Sequence, residues 1–392
     1  MSTGYTRSVN LTFFEKIKSF NWMLLVCVFG LLIISIFMLY AVGYETCGPL
    51  EDCTFKYGSW SPFALKQIYK IAFALIVFFA TALINIKFWV KHAYHIFALA
   101  FIALIVVELV GHTGMGAQRW INIGGFVFQP SEFIKVAMVL ALSKYYSFVT
   151  TADVKGINAL IVSGAIIFLP TSLVLMQPDL GTSLMLVALG AGMLFVSGIP
   201  VSRFKKALVI AIICLPLVWQ MGLKPYQKER VLTFINPSRD TAGASYHINQ
   251  SKIALGSGGF TGKGYLNGSQ SNLNFLPEKH TDFIFTMFAE EFGFLGSLGL
   301  IAIYIIMLLT GHYVVLRSRS RFGSLLAFGL NLNLFLYVFI NIAMVMGVIP
   351  VVGAPLPIIS YGGSALLSLM FGFGLMQNVY IHKNMVVTTS EE

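Results

Sequence analysis

From Trp22 to Val42 the chain carries no charged side chain, and similar apolar runs recur as far as about Ile381. Each approaches the roughly 20 residues needed to cross the hydrocarbon core of a bilayer. No other feature constrains the fold as tightly. A lipid-facing backbone must satisfy its hydrogen bonds within its own segment, so long apolar runs in series mean membrane-spanning helices. The composition agrees: 57% of residues are hydrophobic, 11% are charged, and the mean hydropathy is +0.80.

The expected fold class is an all-α integral membrane protein, a polytopic bundle of about ten transmembrane helices with a long extracytoplasmic loop between spans 7 and 8. Spans are placed near 22–43, 68–86, 93–111, 130–147, 158–176, 181–199, 207–222, 283–311, 323–347 and 361–381. The run from Gly156 to Gly198 is too long for one span, and Gln177-Pro178-Asp179 cuts it into a hairpin of two helices. Residues 1–21 show no cleavable signal pattern and form an N-terminal tail. A membrane domain over 22–383 and a tail over 384–392 follow.

Cations set the orientation, because short cytoplasmic loops retain Lys and Arg. With a cytoplasmic N-terminus, Lys87, Lys91, Lys144, Lys155, Arg203, Lys205, Lys206, Arg317, Arg319 and Arg321 all fall on the cytoplasmic side. Both termini are then cytoplasmic. Most of the net charge of +10 has this explanation, so nucleic acid is not an expected partner. The loop over 223–282 breaks the rule, since it carries Lys224, Lys228, Arg230, Arg239, Lys252, Lys263 and Lys279 on the outer face. A phosphate-bearing lipid partner is one account of those cations, and a merely solvated loop is the other.

Among the cysteines, Cys27 and Cys214 lie in apolar spans and are read as packing residues. Cys47 and Cys53 share the first outward loop, where a disulfide is permitted.

The polar residues near the outer ends of the spans are the candidates for function. Glu132 and Lys135 are three apart on one helix face and can neutralise each other, either as an ion pair locking helices or as a polar wall with Lys135 near an anion. Arg119, beside Trp120, is read as an interfacial snorkelling residue or as a fork aimed at phosphate. Asp179 is well placed to cap the following helix. GSGGFTGKGYLNG, residues 256–268, fails as a phosphate-binding P-loop, because Ser257 stands where the first glycine should be and Gly264 follows Lys263. It reads as a flexible glycine-rich outer loop.

NFLPEKHTDFIF, residues 274–285, brings Lys279, His280 and Asp282 to the start of the eighth span. A carboxylate in a first helical turn is stabilised by the helix dipole, which is a sufficient structural reason for Asp282. If Asp282 instead faces a cavity, Glu290, roughly 12 Å deeper and about 80° around the helix, is its nearer companion, whereas Glu291 points to the opposite side.

Taken together, GAQRWINIGGFVFQPSEFIK, QPDLGTS, NQSKIALGSGGFTGKGYLNGSQSNLNFLPEKHTDFIF and GVIPVVGAPLPIISYGGSA resemble, in that order, the SEDS family (shape, elongation, division and sporulation), over nearly the whole chain. The elongation branch fits better than the division branch. The resemblance implies a peptidoglycan glycosyltransferase that polymerises lipid II at the outer face of the cytoplasmic membrane, with undecaprenyl pyrophosphate as leaving group and inversion at the sugar. It implies Asp282 as the catalytic residue, a class B penicillin-binding protein and other elongation-complex proteins as partners, and substrate contacts at Glu132, Lys135 and Asp179. Arg119, Lys252, Lys279 and His280 are candidates for the pyrophosphate. No tightly bound cofactor is expected; a divalent cation, Mg or Mn, could accompany the phosphates. The competing classes are a lipid II flippase or transporter and a non-catalytic scaffold.

Overall fold

The fold was analysed in a computed structural model that describes residues 12–43, 62–114, 117–124, 126–150, 152–222, 225–236, 244–268 and 279–385. Cys47 and Cys53 lie outside these residues, so the expected disulfide does too.

Helices begin where a short polar side chain meets an apolar run. Asn21 caps α2 (Trp22–Val42) by accepting from the Leu24 amide at 3.3 Å, after the short α1 (Phe13–Lys18). α3 (Pro62–Leu83) follows, and Asn85 caps α4 (Ile86–Val110) through the Lys87 amide at 3.0 Å. α5 (Pro130–Phe148), α6 (Ile157–Met176), α7 (Leu180–Val196) and α8 (Val201–Leu217) continue the series. After α9 (Pro225–Ile235) and α10 (Ala244–Ser257) come α11 (Ile284–Arg317), α12 (Arg321–Val345), which Ser320 caps, and α13 (Gly363–Ile381). These side-chain caps satisfy amides that a helix start leaves without partners.

Among the described residues, seven helices are long and apolar enough to cross a membrane: α2, α3, α4, α6, α11, α12 and α13; α7 is a shorter apolar helix. The other three expected spans, 130–147, 181–199 and 207–222, fall on α5, α7 and α8. Two of the expected segments are helical but differ in character. α5 carries Glu132, Lys135 and Lys144, and α8 is a 17-residue helix with Arg203, Lys205 and Lys206 in its first turns.

α5 and α13 form the centre, buried along almost their whole length, and the outer faces of α2, α3, α4 and α6 present large apolar side chains. Such a face suits lipid, where apolar exposure carries no hydrophobic cost. α8 buries none of its residues, and Cys214 on it is exposed. The expectation that Cys214 packs in the core fails because this helix stands off the bundle; Cys27 is buried as expected.

A segment read from sequence only as an approach to a span is a small antiparallel sheet in the order β1 (His112–Gly114), β2 (Ala117–Ile123), β3 (Phe126–Phe128). It fastens to α13, where Ser364 Oγ accepts from the Gln129 amide at 3.0 Å and donates to the Val127 carbonyl at 2.9 Å.

The second departure is at the glycine-rich stretch. α11 is broken at Gly293, whose φ of 65° and ψ of −163° lie outside the helical region. At 1.5 Å per residue the break sits about 14 Å along the helix from Ile284. There the segment from Gly258 to Gly264 packs directly on the interrupted backbone. The amides of Lys263 and Gly264 donate to the carbonyls of Glu290 and Glu291 at 3.1 and 3.0 Å. In return, the Gly259 and Phe260 carbonyls accept from Phe294 and Leu295 at 3.0 and 3.1 Å. A Cβ on Gly293 would lie 2.2 Å from the Gly262 nitrogen, so only glycine permits this crossing. The stretch is a re-entrant segment packed on α11, so the reading of it as flexible is corrected.

Candidate active site

Connections between helices gather the chemistry-bearing residues at one end of the bundle, the end that holds the sheet, the turn between α6 and α7, the start of α11 and the loop over 346–362.

Lys135 on α5 is fully buried, and its ammonium lies 2.9 Å from Glu132 Oε1. Tyr337 on α12 closes the group, since its hydroxyl bonds both the Lys135 ammonium and the second Glu132 oxygen. Ser368 Oγ on α13 donates to the Glu132 carbonyl at 2.7 Å. The spacing-based expectation of an ion pair holds, and three helices meet on it. Removing these charges from water is costly, and the pair survives burial because each charge is matched and hydrogen-bonded.

Asp179 caps α7 as expected, accepting from the Thr182 amide at 3.2 Å and the Thr182 hydroxyl at 2.9 Å. Arg119 reaches the same turn from β2. Its guanidinium donates to the Gln177 carbonyl at 3.2 Å and to the Pro178 carbonyl, and it stands 3.8 Å from Asp179 Oδ2. Neither sequence reading of Arg119 described this, because the carbonyls it pins lie almost sixty residues away in the chain.

Asp282 lies in the turn before α11, whose N-cap is Phe283, so it precedes the first helical turn in which the sequence put it. The Asp282 carbonyl accepts from Asn341 Nδ2 on α12 at 2.9 Å. Its carboxylate faces the loop over 346–362, for a Cβ on Gly353 would sit 3.6 Å from Oδ2. On the other side of that loop, a Cβ on Gly181 would come within 2.3 Å of the Val352 carbonyl, so the start of α7 is pressed against it. Asp282 and Asp179 thus flank one loop.

His280 stacks on Phe63 with centroids 4.8 Å apart and meets Tyr361 edge-on at 5.7 Å. Lys70 on α3 places its ammonium 3.3 Å from the centroid of the Tyr361 ring, a cation–π contact. Burial pushes the Tyr361 phenol above its ordinary value. Lys279 is buried beside this group. Lys252 on α10 lays its stem on Gly347, where a Cβ would meet Cε at 2.3 Å.

Glu290 lies deeper along α11 than Asp282. It is fully buried at the break in α11 and pairs with Lys263 at 2.6 Å. Among the described residues, no group of three or more His, Cys, Asp or Glu side chains could hold a metal ion.

Sequence reasoning missed Tyr337, Asn341 and Lys70. A signal existed for the first two: Asn333, Tyr337 and Asn341 recur every four residues in a largely apolar helix, which puts them on one face. Polar side chains inside a membrane span are costly and mark function or packing partners.

A family model for cell cycle proteins of the FtsW, RodA and SpoVE type matches residues 16–385. The chain is 39% identical over 376 residues to the peptidoglycan glycosyltransferase MrdB of Escherichia coli K12, covering 96% of this chain and 97% of that one. It is 28% identical to the peptidoglycan glycosyltransferase RodA of Treponema pallidum, over 93% of this chain and 98% of that one. Among solved structures it resembles a chain of a peptidoglycan synthase complex described as coordinating polymerization and crosslinking. The TM-score is 0.76 and the identity 26%, over 93% of this chain and 98% of that chain.

Proposed function

This chain belongs to the FtsW, RodA and SpoVE family and is a peptidoglycan glycosyltransferase of the RodA kind, and we propose that it polymerises lipid II with Asp282 as general base. The acceptor sugar hydroxyl attacks the anomeric carbon of the donor. As the new C–O bond forms, the bond to undecaprenyl pyrophosphate breaks and the diphosphate leaves with the electron pair. Asp282 takes the hydroxyl proton, a contribution of roughly 10²- to 10⁴-fold. The lipid linkage is α and the product linkage β, so a single displacement with inversion suffices.

What supports Asp282 in this role is its seat, ahead of a helix start and against a glycine of the facing loop, where a substrate can approach its carboxylate. Lys279 and Lys252 supply positive charge for the leaving diphosphate, and His280 is a further contact to it. Arg119 and Asp179 hold the turn that borders the site, and Glu132 with Lys135 forms its buried floor. Mg²⁺ or Mn²⁺, where present, would be held in part by substrate phosphate.

The membrane is the cytoplasmic one, with both termini inside and the Asp282 end outside, as the distribution of Lys and Arg supports. The partner is a class B penicillin-binding protein whose transpeptidase crosslinks the strands, a reading that the relation to a synthase complex supports.

Vesicles reconstituted with the purified chain, its partner and lipid II separate this reading from transport. The expected outcome is glycan strands without movement of lipid II between leaflets. Translocation without polymer would replace the glycosyltransferase reading by a flippase, and neither activity would leave a scaffold.

A further inference from the structure

We infer that Asn341 is the positioning residue of Asp282, fixing the carboxylate against the substrate-facing loop without touching substrate itself. The inference rests on the general-base reading of Asp282. Residues 279–283 form turns ahead of α11. The neighbours of Asp282 are tied to the facing loop: Ser360 Oγ donates to the Thr281 carbonyl at 2.6 Å, and the Tyr361 amide to the His280 carbonyl at 2.8 Å. That loop is itself anchored, by Tyr304 on the Pro357 carbonyl at 2.7 Å and by Ser35 on the Ile359 carbonyl at 3.0 Å. It includes Ile358 at a φ of 69°, a conformation a β-branched residue adopts only when its surroundings impose it.

Asn341 holds both sides at once. Its Nδ2 donates to the Asp282 carbonyl at 2.9 Å and to the Ala354 carbonyl at 2.7 Å, next to Gly353. One amide therefore ties Asp282 itself to the loop its carboxylate faces, alongside the bonds that Ser360 and Tyr361 make to its neighbours. Packing alone is a poor account of this residue. Asn341 is fully buried, its Oδ1 has no hydrogen-bond partner among the described residues, and an apolar side chain would fill the same space without reaching either carbonyl. One turn deeper on the same face, Tyr337 bonds Glu132 and Lys135, so α12 presents a rigid polar edge from the buried pair to Asp282.

Displacement of a reacting group by about 1 Å can cost about 10²-fold in rate. Lipid II polymerisation by the full chain with its transpeptidase partner should be measured for Asn341→Ala and Asn341→Gln, together with the melting temperature of each. For Asn341→Ala the expected result is a kcat lowered at least tenfold with KM within threefold of wild type. Asn341→Gln keeps both donors on a longer stem, and its kcat should fall between those of Asn341→Ala and wild type, again at unchanged KM. A kcat within twofold of wild type in Asn341→Ala, or a loss confined to KM or to the folded fraction in either variant, overturns the inference. Asp282→Asn, assayed in parallel, separates the two readings: its full activity would remove the general base, whereas its inactivity beside an unimpaired Asn341→Ala removes only the positioning role.

Discussion

Removing one member of a buried ion pair strands the other, at a cost of about 3–5 kcal/mol, whereas replacing both with apolar or neutral groups of similar shape is often nearly neutral. Lys135→Met should therefore destabilise the protein strongly, leaving Glu132 and the Tyr337 hydroxyl without their cation. Glu132→Gln combined with Lys135→Met should recover most of that loss. Thermal melting in detergent measures the recovery, and polymerisation by the double variant decides the role of the pair. Stability regained without activity assigns the pair to the chemistry; stability and activity regained together assign it to folding alone. The pair itself was legible in the sequence because its members are three residues apart. Tyr337, which completes it, lies about two hundred residues on, and only its helical spacing from Asn333 and Asn341 marked it. Asp282 stood out by charge at the edge of an apolar run. Its tether to Asn341 depends on how the start of α11 meets α12, which no local pattern reveals.

At the scale of the element, the break in α11 is where the sequence misleads. Residues 283–311 are largely apolar apart from Glu290 and Glu291, so hydropathy extends one helix through Gly293. The composition of 256–268 reads as a mobile turn because glycine content says nothing about what backbone will pack against it. Their partnership explains both: freed carbonyls and amides on each side of Gly293 are satisfied by the re-entrant backbone, as a membrane interior requires. Gly293→Ala and Gly262→Ala should each lower the melting temperature clearly, since both positions have positive φ and a Cβ there would overlap facing backbone. Gly299→Ala, in the same helix with open space around it, should be neutral or stabilise by up to about 1 kcal/mol. Equal melting temperatures for all three would contradict the packed re-entrant segment.

For the whole molecule, length and hydropathy were enough to give an all-α membrane protein, and four ordered motifs were enough to give the family. All ten expected spans fall on helices, but those helices are not alike. α5 is a buried charged helix and α8 a short one that stands off the bundle, and hydropathy treats both as ordinary spans. What the assembled bundle adds is convergence: Arg119 with Asp179, Glu132 with Lys135, and Asp282 with its loop come from distant segments to one end. The central claim is that this end transfers sugars with Asp282 as the base. The most direct measurement is the rate of lipid II polymerisation by purified Asp282→Asn protein with its partner, beside a melting curve showing a normal fold. The account predicts a loss of at least about 10²-fold with the melting temperature essentially unchanged. Turnover at the wild-type rate in a normally folded Asp282→Asn protein would contradict it.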